Sequence, residues 1–172
     1  MVSKRRFLMF WIGGLIAFVV ALVLHMPLTL DSVPEGIVDH QTATTAARVD
    51  FIQREWANAG VYRSAFSAMV ADFVFIALYS LGSLLGGFYF ISKGPGTLRL
   101  IGWALVASAF VFLVSDTLET WMQIQQLAAG EGSDAKAAIA ASMHYPKLAS
   151  WIACFILPLN GLILEWSQRR SA

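Results

Sequence analysis

Four long stretches of this chain carry very few ionisable side chains, and nothing else in the sequence restricts its fold so strongly. They cover about residues 7–26, 66–91, 98–121 and 147–166. A helix needs about 20 apolar residues to cross roughly 30 Å of hydrocarbon, and each stretch is near that length. A backbone inside lipid must satisfy its own hydrogen bonds, which leaves helices for a chain of this pattern. The expected fold is therefore all-α: an integral membrane four-helix bundle, a single transmembrane domain over residues 1–172. Composition agrees, with 58% hydrophobic and 13% charged residues against a soluble balance of about 45–50% and 25%. A net charge of +1 and the lack of a long basic tract give no reason to expect a nucleic-acid partner.

Lys4-Arg5-Arg6 precede the first apolar run as they would in a signal peptide. The run is longer than an h-region of about 7–15 residues, however, and no A-x-A-like site follows, so an uncleaved first span is expected. Lys4, Arg5, Arg6, Lys93, Arg99, Arg169 and Arg170 all fall on one side of a four-span chain. Short loops rich in Lys and Arg stay cytoplasmic. The expected location is thus the bacterial cytoplasmic (inner) membrane, with both termini and the tight Lys93-Gly94-Pro95-Gly96 turn inside. Trp11, Trp103 and Trp166 then fall near the inner boundary, and Trp121 and Trp151 near the outer one.

The first outer loop, 28–65, holds a segment with Val49, Ile52 and Trp56 at helical spacing among Arg48, Asp50, Arg54 and Glu55. An amphipathic interfacial helix accounts for this pattern, either lying among headgroups or docked over the mouth of the bundle. Thr42, Thr44 and Thr45 offer N-caps and Gly60 a stop. In the second outer loop, Gly130-Glu131-Gly132-Ser133-Asp134 predicts a flexible turn, followed by a short Ala-rich helix and a fourth span opening after Pro146.

Within the spans, Ser115-Asp116-Thr117-Leu118-Glu119-Thr120-Trp121 sets two carboxylates one turn apart at the far end of an apolar run. Ionisable groups at membrane depth are costly and are kept where something pairs with them or uses them. In the second span Asp72, Tyr79, Ser83 and Gly86 share a helix face. Gly82 with Gly86, and Ser83 with Gly87, form small-xxx-small pairs suited to close packing. Pro158 and Asn160 suggest a kink in the fourth span with a polar group inside it. Counting about 1.5 Å per residue from the inner anchors, Asp72, Asp116 and Glu119 reach one level near the outer boundary. His25, His144 and Lys147 reach it too, so all four spans deliver a polar group there.

Trp56 to Arg63, Asp72 to Tyr79, Asp116-Thr117-Leu118-Glu119-Thr120 and Lys147 together resemble a widespread set of small four-span bacterial membrane proteins with no established activity. In that set a Gly-x-x-Arg-like element precedes an Asp…Tyr second span, a D-x-x-E-N element ends the third, and a Lys opens the fourth. Thr120 stands here where the set carries Asn. The resemblance implies the four-span architecture and the polar cluster, and it adds no function.

The candidate ligand-binding cluster is thus His25, Asp72, Tyr79, Asp116, Glu119, His144 and Lys147. The plainest reading is a hydrogen-bonded network in which Lys147 neutralises carboxylates, Asp116 first among them. The functional reading is a pocket open to the outer leaflet for a lipophilic molecule with a polar head. That makes the chain an inner-membrane accessory or binding protein, with the bilayer as its first partner and a lipid, quinone or isoprenoid ligand or a larger membrane complex as its second. The rival is a membrane-embedded enzyme acting on a lipid or isoprenoid, with Asp116 and Glu119 as acid and base. No cofactor is indicated by motif. No metal site is expected, since E-x-x-H pairs are absent and Cys154 is the single cysteine, read as a buried inert thiol.

Overall fold

A computed structural model describes residues 2–93 and 95–170; Gly94 of the predicted turn lies outside the described residues. The chain is all-α. Among the described residues six α-helices follow one another: α1 (Lys4–His25), α2 (Ile37–Gln41), α3 (Ala46–Asn58), α4 (Tyr62–Ile91), α5 (Thr97–Ala129) and α6 (Asp134–Arg170). Four of them, α1, α4, α5 and α6, are long and apolar enough to cross a membrane. Their outward faces are apolar, with Ile16, Val19, Leu100, Phe110 and Ile163 among the exposed side chains, as a lipid-facing surface requires.

Glycine sets how closely the helices meet. A Cβ on Gly14 of α1 would lie 2.6 Å from the Tyr79 Cα of α4, and Gly82 of α4 meets the Trp11 backbone just as closely. Between α4 and α5, a Cβ on Gly102 would stand 2.7 Å from the Gly87 carbonyl oxygen. Such approaches suit a bundle with no hydrophobic drive between helices, where backbone-level van der Waals contact must supply the attraction. Helix α4 therefore packs tightly on α1 and α5, and α5 packs tightly on α6.

Between α1 and α6 the spacing is wider and rings fill it. Phe18 meets Trp151 at 5.1 Å between ring centroids, and Trp11 stacks on Phe155 at 6.0 Å. Trp11 was expected in an interfacial belt. It points inward instead and is buried, because its indole N–H donates to the Cys154 carbonyl at 3.1 Å. That carbonyl lies four residues before Pro158, whose missing N–H leaves it without an intrahelical partner. One hydrogen bond thus satisfies both an indole donor and an orphaned acceptor, each costly to leave unpaired in an apolar interior. Asn160, expected inside the kink, faces outward. Trp103, Trp121 and Trp166 do face outward as belt residues would.

Both ends of the described chain and Lys93 meet at one end of the bundle, the terminal end. Lys4 and Lys93 reach Glu165 there at 2.9 and 3.3 Å. The opposite, loop end extends further than the sequence suggested. Helix α5 runs on past Trp121 to Ala129, α6 already begins at Asp134 and continues through Pro146, and only residues 130–133 turn between them. The reason lies in α3, which docks on this extension. Its Val49, Ile52 and Trp56 are fully buried in one cluster with Leu28, Met69, Ile124, Leu127 and Ala137. Trp56 donates to the Leu28 carbonyl at 2.9 Å, and Asp134 of α6 accepts from the Ala46 amide at the start of α3 at 2.6 Å. The amphipathic helix thus turns its apolar stripe to protein. Thr45 caps it and Gly60, at φ 74°, ends it.

Replacing Trp11 by Phe strips the partner from the Cys154 carbonyl and should cost about 1–3 kcal/mol in a detergent unfolding assay. Trp103→Phe, at an exposed ring, should cost nearly nothing. Adding Pro158→Ala to Trp11→Phe should recover part of the loss, since the restored backbone N–H can take the carbonyl. Equal losses for the two tryptophans would show that the indole bond contributes nothing.

Candidate functional site

At the loop end the seam between α1 and α6 opens into a cleft of about 220 Å³. Phe18, Ala21 and Leu22 of α1 form one wall, and Leu148 and Trp151 of α6 the other. Phe75 and Phe112 line its back, and Ile37, Val38 and Gln41 of the short helix α2 cover its end. Leu22 and Leu148 line the cleft and are also exposed on the outside of the bundle, at 51% and 43%. The cleft therefore opens sideways, between two lipid-facing helices.

Its polar end is built by residues from all four long helices: His25, Asp72, Asp116 and Lys147. His25 Nε2 lies 3.1 and 3.0 Å from the two Asp72 carboxylate oxygens. Lys147 Nζ lies 2.5 Å from Glu119 Oε2 and 3.8 Å from Asp116 Oδ1. The ammonium thus pairs with Asp116, the partner expected from depth, but sits closer to Glu119. Asp116 and Glu119 sit one turn apart, and Glu119 is fully buried and outside the cleft lining. His144 approaches Glu119 with Nδ1 at 3.7 Å, on the side away from the cleft lining. Tyr79 stands apart from this group. It lies two turns below Asp72, packed edge-on to Phe112, and its hydroxyl donates to the Trp151 carbonyl at 3.2 Å.

Chemically this is an apolar slot ending in carboxylates, one ammonium and an imidazole. It can accept a chain along its aromatic walls and hydrogen-bond a small polar group at its end. The volume is below the roughly 300–1,000 Å³ of pockets that enclose a whole drug-sized ligand. A longer molecule would keep its tail outside the mouth.

Sequence reasoning missed three parts of this arrangement. Glu165 near the end of α6 is buried and gathers Lys4, Lys93, Arg169 at 2.8 Å and the Tyr89 hydroxyl. The basic residues at that end were legible, but a single acid after a long apolar run gave no sign of collecting them. His40 is also buried, stacked on Trp56 at 5.3 Å. Burial pushes its pKa down to about 4, so at neutral pH it is an uncharged packing piece on the buried face of α2. The third is α2 itself: five residues are too few for periodicity to reveal. Arg48 fixes this helix through Asp39 at 2.6 Å.

The chain matches no family model, no curated protein and no solved structure.

Removing one member of a desolvated ion pair strands the other, at a cost of about 3–5 kcal/mol. Lys147→Ala and Glu119→Ala should each lower the melting temperature in detergent, and the double mutant should lose less than the two losses added. The same cycle run with Asp116→Ala should show weaker coupling to Lys147. Coupling stronger at Asp116 than at Glu119 would contradict the geometry.

Proposed function

We propose that this protein binds a lipophilic molecule with a small polar head, taken from the bilayer through the lateral mouth between α1 and α6. It acts as a binding or accessory protein of the bacterial inner membrane, alone or within a larger membrane complex. The observation that carries this reading is the cleft itself. Aromatic and aliphatic walls open toward lipid, and the closed end joins polar groups from all four long helices. A network serving packing alone has no need of a cavity in front of it.

The side on which the cleft opens follows from charge. Lys4, Arg5, Arg6, Lys93, Arg99, Arg169 and Arg170 belong to the terminal end, and the positive-inside rule supports a cytoplasmic placement of that end. The cleft then faces the outer leaflet, and a quinone, an isoprenoid or a lipid are the ligand classes available there. The resemblance to small four-span bacterial proteins fits this placement. Acid–base catalysis by Asp116 and Glu119 has less support, since Glu119 is held behind Lys147 and lies outside the cleft lining.

The test is native mass spectrometry of the protein purified from membranes in mild detergent. Wild type should retain about one lipophilic molecule per chain, whereas Leu22→Trp, which closes the mouth at an exposed position, should lose it at unchanged melting temperature. A reporter active only outside the cytoplasm, inserted in the 130–133 turn, checks the orientation in the same cells. Equal retention by both proteins, or a silent reporter, would overturn the corresponding half of the proposal.

A further inference from the structure

The polar end of the cleft holds more carboxyl groups than close cationic partners, and the surplus group suits one kind of ligand. Asp72, Asp116 and Glu119 face one ammonium, that of Lys147. Two of these carboxylates have close partners: Asp72 has His25 at 3.0 Å and Glu119 has Lys147 at 2.5 Å. Asp116 does not. Its nearest counter-charge is the same Lys147, 3.8 Å away and already engaged, yet Asp116 is only 6% exposed and lines the cleft. Even with His25 set against Asp72, one carboxyl group in the cavity wall is left without a close partner of its own. His144 does not supply one, because it approaches Glu119 and is not part of the lining.

Resting on the binding reading above, we infer that the cleft takes a single-chain amphiphile with a cationic, hydrogen-bond-donating head of the primary-amine type, held by Asp116. A desolvated carboxylate gains most from a donor that also carries charge, since charge-assisted hydrogen bonds are about twice as strong as neutral ones. The same carboxylate repels a phosphate or carboxylate head, and Lys147 does not reverse this because Glu119 already neutralises it. Size sets the rest. A cavity of about 220 Å³ accommodates the head and the first carbons of the chain, and the remainder leaves between Leu22 and Leu148.

The experiment offers hexadecylamine, hexadecanol and hexadecyl phosphate in equal amounts to the purified protein in a maltoside detergent and counts bound adducts by native mass spectrometry. Wild type should retain the amine about tenfold over the alcohol, as one charge-assisted hydrogen bond would give, and the phosphate least. Asp116→Asn, close to isosteric, should bring amine and alcohol to parity, while Leu22→Trp should abolish all specific adducts. Alcohol or phosphate retained as well as the amine by wild type, and lost in Leu22→Trp, would overturn the inference and leave the binding site standing. A preference for amine unchanged in Asp116→Asn would overturn the role of Asp116. No adduct of any probe, or adducts that Leu22→Trp does not remove, would overturn both the inference and the binding reading. The wild-type competition needs no variant, so a misfolded mutant does not leave the question open.

Discussion

Backbone contact at glycine is what the rest of this structure depends on. Gly14 and Gly82 let α1 settle onto α4, and Gly87 and Gly102 let α4 settle onto α5. Van der Waals attraction falls steeply with a gap of even half an ångström, so these small residues bring α1 and α5 close to α4. No comparable glycine contact joins α1 to α6. Their interface is spanned by Trp11, Phe18, Trp151 and Phe155, and where the rings stop, at the loop end, a cleft is left. The cavity is thus what the wider spacing between α1 and α6 leaves where the rings stop.

Charge then fills the open end in a way that each helix alone could not support. Asp72, Asp116 and Glu119 would each be expensive at this depth. Brought to one level, they divide His25 and Lys147 between them, and Asp116 is the carboxylate left facing the cavity. The opposite end resolves the converse problem. There Glu165 is the buried acid among several cations, and it ties Lys4 of α1 and Arg169 of α6 to Lys93. The two ends thus have opposite charge character while sharing one apolar middle.

Much of this was legible in the sequence. Length and hydropathy specify four spans, and counting residues along them puts His25, Asp72, Asp116, Glu119, His144 and Lys147 at a common depth. Depth says nothing of rotation about the helix axis, however, so counting could not choose between Asp116 and Glu119 as the partner of Lys147. Nor could it see that Tyr79 serves the Trp151 carbonyl below the cluster. Trp11 reads as a belt residue because tryptophan prefers interfaces; its real partner, Cys154, is 143 positions away. Helix ends were misread for a related reason. Beyond Trp121 the chain stops being uniformly apolar, which ends a span but not a helix, and the continuation to Ala129 is stabilised by the docking of α3, a tertiary effect.

The central claim is that the space between α1 and α6 opens to the bilayer, and one measurement addresses it directly. The six tryptophans can be replaced by 5-fluorotryptophan and resolved by fluorine NMR in nanodiscs carrying a lipid with a nitroxide near the head-group end of its acyl chain. Trp103, Trp121 and Trp166 lie on the outer faces, while Trp11 and Trp56 are buried at 5% and 0% exposure. The open cleft predicts that Trp151, although it points into the bundle, is broadened with the outward-facing set, and that closing the mouth with Leu22→Trp sharpens it. A Trp151 signal as sharp as those of Trp11 and Trp56 in the unmodified protein would mean that lipid does not enter, and the account of the cleft would be contradicted.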